Sequence, residues 1–220
     1  MTQTLAVLPI KSFTDAKQRL QQELSPGPRR ALAEAMFSDV LVALRRSTAV
    51  EEILVISDDH NAQQIAGGYG ATVLDDEQDG HNAAAAVAIG WALESGCERA
   101  LLVPGDCPML DPVEIDALVA RAAPSPSALI IPDRHGTGTN ALLLTPPGSI
   151  TPSFGPGSCE RHASIAAHAG VEYEVVHVPS LALDIDTPED LAALQSELVG
   201  RRGGAAHTRG MLRQMMRSSS

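Results

Sequence analysis

Leu102-Val103-Pro104-Gly105-Asp106-Cys107-Pro108 is the stretch that decides the fold. Ala100, Leu101, Leu102 and Val103 form an unbroken apolar run, and Pro104, Gly105 and Asp106 follow at once. Such a run reads as a buried strand that delivers one carboxylate to its exposed C-terminal tip. In open α/β sheets that edge is where ligands bind. Leu183-Asp184-Ile185-Asp186-Thr187-Pro188 has the same logic near the other end of the chain. Asp184 and Asp186 stand two apart, so in an extended segment they share one face. Thr187 and Pro188 then open a helix as N-cap and first-turn residue. A cap or a turn explains any one of these carboxylates. Three at strand ends instead make a hard, oxygen-rich site of the kind Mg2+ prefers.

Outward from that strand, the chain alternates between the two periods. Leu5–Pro9 reads as a strand, followed by a polar loop over 10–25 that carries Lys11, Lys17 and Arg19. Ser25 and Pro26 open a helix to about Arg46, with Leu32, Met36, Val40, Leu41 and Leu44 as its apolar stripe. Ile53–Ser57 is a strand ending in Asp58 and Asp59; a short helix, a glycine break at 67–70 and a strand at Thr72–Leu74 follow. Asn82 is expected to cap an Ala-rich helix to about Ser95, and a helix over Pro112–Arg121 and a strand at Leu129–Ile131 complete the regular half. Beyond 132 the pattern loosens: a strand at 139–144, a Pro/Gly-rich loop over 145–157, a helix from Ser158, a strand at 173–178 and a last helix from Thr187. The alternation predicts a single-domain α/β fold, a mostly parallel mixed sheet with helices on both faces. Its regular half suits a nucleotide and its looser half an acceptor.

Composition narrows the class. The chain has 220 residues, 44% hydrophobic but only 3% aromatic, with a formal net charge of −11. Residues 1–200 hold 11 basic and 27 acidic residues, which argues against a nucleic-acid surface. Residues 201–220 carry five arginines and no acid, and with Gly203-Gly204 and a triple-serine end they read as an Arg-rich, flexible or loosely helical extension of a domain spanning 1–200. No apolar stretch approaches the roughly 18 residues of a membrane span. The start of the chain runs straight into a strand, without a signal segment. Cys97, Cys107 and Cys159 lack metal-type spacing, and three reduced thiols fit a cytoplasmic protein.

Three further constellations bear on chemistry. Lys11, Lys17 and Arg19 directly follow the first strand, placed to neutralise a triphosphate by side chains, since the glycines of a P-loop are missing. Gly136-Thr137-Gly138-Thr139 is a flexible turn with backbone N–H groups and two hydroxyls, and Phe154-Gly155-Pro156-Gly157-Ser158 runs into a helix N-terminus. Together they suit a small acid bearing a phosphate and a carboxylate. Asp58 and Asp59 close the second strand with two adjacent carboxylates. His135, His162 and Cys107 read as structural.

The chain resembles the guanylyltransferases that activate a three-carbon phospho-acid in coenzyme F-420 biosynthesis, relatives of the molybdenum-cofactor and sugar-phosphate nucleotidyltransferases with a GT-A-like, Rossmann-like fold. The resemblance rests on residues 7–20, 103–108, 136–139, 154–158 and 183–191, in the family's order. It implies a metal at Asp106, Asp184 and Asp186, acceptor binding by Thr139, Gly155 and Ser158, and GTP phosphate contacts from Lys11, Lys17 and Arg19. Gly138 and Asn82 complete the candidate substrate-binding set, and Asp58 and Asp59 are candidates for reading the guanine of the GTP that the resemblance implies. His81, Cys107, Cys159 and Asn140 depart from the family's usual residues, and the tail from 201 matches nothing in its pattern. Polar Asn140 and small Cys159 lean the acceptor toward 3-phospho-D-glycerate, ahead of phosphoenolpyruvate or 2-phospho-L-lactate.

The expected partners are GTP, the phospho-acid and a downstream transferase that takes over a labile product, with neither membrane nor nucleic acid; a homodimer is compatible with this reading. Three rivals stay open: a molybdopterin or sugar-phosphate nucleotidyltransferase, a GTP-binding regulator without catalysis, and an RNA-binding protein acting through the tail.

Overall fold

The computed structural model describes residues 3–218 apart from 15, 77–79 and 202. Its strands are β1 (Thr4–Pro9), β2 (Glu52–Ile56), β3 (Thr72–Leu74), β4 (Arg99–Leu102), β5 (Ser127–Pro132), β6 (Thr139–Thr145) and β7 (Glu172–Val175). Its helices are α1 (Pro26–Arg46), α2 (His60–Gly68), α3 (His81–Glu94), α4 (Pro112–Arg121), α5 (Ser158–Ala169), α6 (Pro188–Gly200) and α7 (Ala206–Ser218). The strands form one sheet in the order β3-β2-β1-β4-β6-β5-β7. All run parallel except β6, which lies antiparallel to both β4 and β5. The single-domain, mostly parallel mixed sheet expected from the sequence is the fold observed.

Strand alternation divides the core. Ala6 and Leu8 face one side with Phe37, Val40 and Leu44 of α1, Ala66 of α2 and Ile115 of α4. Leu5 and Val7 face the other, where Ala84, Ala85, Ala88 and Ala92 of α3 and Ala166 of α5 cover the sheet. A third layer lies outside α1: Leu32 and Met36 meet Leu191, Leu194 and Leu198 of α6 and Leu212 of α7.

The tail, expected as a flexible or loosely helical extension, contains helix α7, which packs on α1 and α6. Ala205, Thr208 and Leu212 are buried at helical spacing, and the Asp39 carboxylate of α1 accepts hydrogen bonds from the His207 and Thr208 N–H groups at 3.0 and 2.8 Å. Asp39 thus satisfies two of the donors that every helix start leaves open. Arg209 donates back to the Leu198 and Arg201 carbonyls. Its guanidinium serves the chain's own turn.

Other differences lie at element ends. Gly80, not Asn82, occupies the N-cap of α3. β5 is longer than expected, and the last strand ends at Val175, short of 178.

Candidate active site

β1 is flanked by β2 on one side and β4 on the other, so the chain leaves β1 in one direction and returns at β4 in the opposite one. That switch point opens a crevice at the strands' C-terminal ends. The loop after β1 and the loop after β4 form its walls. Gly105 lets them approach: a Cβ there would stand 2.4 Å from the Ile10 Cδ1 and push that side chain aside. A cavity of about 490 Å³ lies here, lined by Lys11, Lys17, Asp58, His81, Asp106 and Asp186 among others.

Asp58 and Asp59 part company in this region. Asp59 accepts from Asn61 and Ala62 at the start of α2 and from the Phe13 N–H at 2.7 Å. Burial alone would raise its pKa, but the backbone donors from Phe13, Ala62 and Asn61 outweigh it and hold the carboxyl low. It pins the first loop. Asp58 is the one that faces the cavity.

The three expected carboxylates come to one place. The Ile185 N–H donates to the Asp106 carbonyl at 3.2 Å, which stitches the 183–186 segment to the loop after β4. Thr187 and Asp190 then form a reciprocal capping box for α6. The Lys17 Nζ sits between two of the acids, 2.5 Å from Asp106 Oδ2 and 2.9 Å from Asp186 Oδ1. Burial pulls the Lys17 pKa down, but the two carboxylates more than compensate and keep the ammonium charged. Burial first, then the Asp106 charge, push the Asp184 carboxyl above its ordinary range, against a hydrogen bond from Asn140.

Among the described residues no group of three or more His, Cys, Asp or Glu side chains is closed around a metal position. Two features nonetheless fit a divalent cation. The donor set is all carboxylate, and Asp106 Oδ1 is buried with no hydrogen-bond partner while its sister oxygen holds Lys17.

A second cavity of about 490 Å³ lies on the other side of the carboxylates, and Asp106, Asp186 and His81 line both. Thr139, Gly138, Gly155 and Ser158 line it, as does Arg19. The three cations of the first loop are therefore separated: Lys11 at the first cavity, Lys17 between the acids, Arg19 at the second. Ser158 begins α5, and its buried Oγ has no hydrogen-bond partner.

The 136–139 turn is less open than its sequence suggests. Asp133 accepts from the His135, Thr137 and Gly138 N–H groups at 3.0, 3.1 and 3.0 Å. Those donors are committed, and a Cβ on Gly138 would lie 2.5 Å from Asp133 Oδ2. Asn82 also has another task. Its Oδ1 accepts from the Phe154 N–H at 2.7 Å and its Nδ2 donates to the Phe154 carbonyl at 3.2 Å, so it clamps the 153–157 loop. Asn140 donates to the Leu181 carbonyl at 2.7 Å and to Asp184 Oδ1 at 3.2 Å.

Other contributors are not evident from spacing. Arg161 grips the Ser153 and Pro156 carbonyls. Arg134 pairs with Asp190 at 2.6 Å. His81 stands edge-on to Phe154 with ring centroids 4.8 Å apart, its pKa lowered chiefly by burial. An Asp opening a Gly-rich turn is a recognisable Asx signal for Asp133; the others depend on the assembled fold.

Two adjoining cavities thus share a carboxylate cluster at the switch point of this sheet, and similarity to known proteins makes the chain a nucleotidyltransferase. The fold recurs in the crystal structure of a provisionally named nucleotide-diphospho-sugar transferase from Desulfovibrio desulfuricans, with a TM-score of 0.78 at 15% identity over 97% of this chain and 95% of that one. A family model described as "Guanylyl transferase CofC like" matches residues 4–218, and the chain belongs to that family. The match includes α7. The chain is 51% identical over 218 residues to a phosphoenolpyruvate guanylyltransferase of Conexibacter woesei, covering 98% of each. It is 37% identical over 191 residues to a 3-phospho-D-glycerate guanylyltransferase of Colwellia psychrerythraea, covering 87% of this chain and 90% of that one. No helix among the described residues is long and apolar enough to cross a membrane.

Proposed function

We propose that this enzyme transfers GMP from GTP to the phosphate of a three-carbon phospho-acid and releases pyrophosphate. The observation that carries the reading is the carboxylate cluster standing between two cavities, one walled by cationic and strand-end residues, the other by hydroxyls and a helix N-terminus. A phosphate oxygen of the acceptor attacks the α-phosphorus of GTP, and the bond from that phosphorus to the β-phosphate bridging oxygen breaks. A phosphate monoester has its second pKa near about 6, so the attacking group is already a dianion at neutral pH and needs no general base. The chain's task is to hold two anions in line and to stabilise the leaving charge.

Lys11 faces the nucleotide and covers its phosphates, Lys17 balances the buried acids, and Arg19 reaches the acceptor. Thr139, Gly138, Gly155 and Ser158 hold the acceptor, Ser158 through its unpartnered hydroxyl and the start of α5. Asp106, Asp184 and Asp186 would hold a divalent cation, with Mg2+ the best match to an all-oxygen set. When bound, it supplies charge neutralisation and polarises phosphate oxygens. Asp58 is the candidate for guanine.

Phosphoenolpyruvate is the favoured acceptor. Asn140, which pointed toward a hydroxylated acid, has its amide turned to Leu181 and Asp184, and the relative 51% identical bears the phosphoenolpyruvate name. The product joins two phosphates in a reactive anhydride, so a downstream transferase that consumes it is part of the proposal. The test is pyrophosphate release from GTP and Mg2+ with phosphoenolpyruvate, 3-phospho-D-glycerate and 2-phospho-L-lactate supplied separately. Release with phosphoenolpyruvate above the other two supports the reading. GTP binding without release for any of them favours a regulator and overturns it.

A further inference from the structure

His162 is fully buried in α5, behind the second cavity. Its Nε2 lies 2.8 Å from the Ser153 backbone nitrogen. A backbone N–H can only donate, so Nε2 accepts and carries no proton. Burial, and after it the Arg161 charge, lower the pKa of the ring to about 4, so it is neutral near pH 7. The single ring proton therefore resides on Nδ1. That nitrogen lies 3.0 Å from Thr139 Oγ1, so the Thr139 oxygen is the acceptor in that bond. Its own hydroxyl proton has to point elsewhere. No other side-chain hydrogen bond joins Thr139 to the described residues, and Thr139 lines the cavity.

We propose that His162 is a positioning residue: by donating to Thr139 Oγ1 it leaves the Thr139 hydroxyl proton to be donated to the acceptor. The identity of that acceptor rests on the guanylyl-transfer reading. A hydroxyl whose proton is turned toward the cavity favours an anionic oxygen there. The same ring also fixes the opposite wall, because its bond to Ser153 anchors the 153–157 loop. Phe154 of that loop packs edge-on against the ring at 5.3 Å. One imidazole thus sets both the polarity and the width of the acceptor cavity.

Two measurements on the full-length chain test this. The first is long-range 1H–15N correlation of histidines in 15N-labelled protein near pH 7, with His162 assigned by His162→Gln. A neutral ring protonated on Nδ1 is expected, and protonation on Nε2 overturns the proposal. The second is steady-state kinetics with acceptor and GTP varied in turn. His162→Gln keeps an acceptor for Ser153 and removes the donor to Thr139. It should raise the acceptor KM about tenfold or more, the worth of one hydrogen bond to a charged group, with the GTP KM within about twofold of the parent. His162→Asn keeps a donor toward Thr139 but gives up the acceptor for Ser153, so it should recover part of the acceptor KM loss. In a Thr139→Val background, His162→Gln should add nothing further. Equal increases in both KM values, or losses that multiply in the double variant, would show a purely structural role. If His162→Gln does not fold, the parent histidine resonance, assigned by exclusion with the remaining histidine variants, decides the tautomer, and Thr139→Ser against Thr139→Val reads the hydroxyl's worth. If the parent enzyme releases no pyrophosphate with any of the three acids, guanylyl transfer fails as the reaction, while the tautomer is still decided by the spectrum.

Discussion

Asp106 faces both cavities, and its two oxygens have different fates: one holds Lys17, the other is buried without a partner. Asp106→Asn keeps the shape and removes the charge. We expect it to slow pyrophosphate release by about a hundredfold or more with an unchanged circular dichroism spectrum; near-parental turnover would refute the role. His162 gives a second prediction. Its pKa of about 4 in the folded chain lies below the ordinary 6.5. Between those values the unfolded chain takes up a proton that the native one refuses. This group therefore leaves stability untouched above pH 6.5 and erodes it as pH falls toward 4. Urea midpoints should fall over that window in the parent and fall less steeply in His162→Gln. At this scale the apolar run explains why Asp106 follows β4 into the crevice, whereas Asp184 and Asp186, expected at a strand end, stand on an irregular segment between β7 and α6 that still brings them to the same cavity. Lys17 between the acids was not legible in the sequence, since its partners stand 89 and 169 positions away. His162 was hidden for the same reason: Thr139 and Ser153 meet it only once the sheet and α5 are assembled.

Elements explain where the sequence misleads. The arginines and glycines of the last twenty residues suggest an extension, yet Ala205, Thr208 and Leu212 recur on one face, and the anchor that decides the matter, Asp39, lies in the middle of α1. Asp39→Ala removes two hydrogen bonds from the start of α7 and should cost about 1–2 kcal/mol in urea unfolding without changing either KM. Val176 and Val178 prolong the apolar pattern of β7 but are buried after the strand has ended, which is why the sequence extends it too far. The turn between β5 and β6 carries its own prediction. Gly138→Ala would drive a methyl group into Asp133, whose carboxylate organises three N–H groups. The acceptor KM should rise several-fold by steady-state kinetics while the GTP KM stays put; equal changes in both would mean that the turn serves the whole site.

At the scale of the molecule, the two cavities proposed to take nucleotide and acceptor are built differently. The first cavity draws on loops that follow β1, β2 and β4, far apart in sequence. Much of the second comes from residues 133–158, the hairpin partner β6 and the loop leading into α5. Exchanging residues 133–158 for the matching segment of a relative that prefers another acid should move acceptor preference toward the donor of the segment in a pyrophosphate-release assay, with the GTP KM unchanged. The reversal of β6 gives this division a structural cause. An antiparallel strand can be joined to its neighbour by a short turn, whereas a parallel one needs a long crossover. The reversed strand therefore gathers much of the second cavity's wall, the proposed acceptor side, into one short contiguous stretch of chain. On that assignment, acid preference can be changed by a few local substitutions that leave the loops of the first cavity untouched.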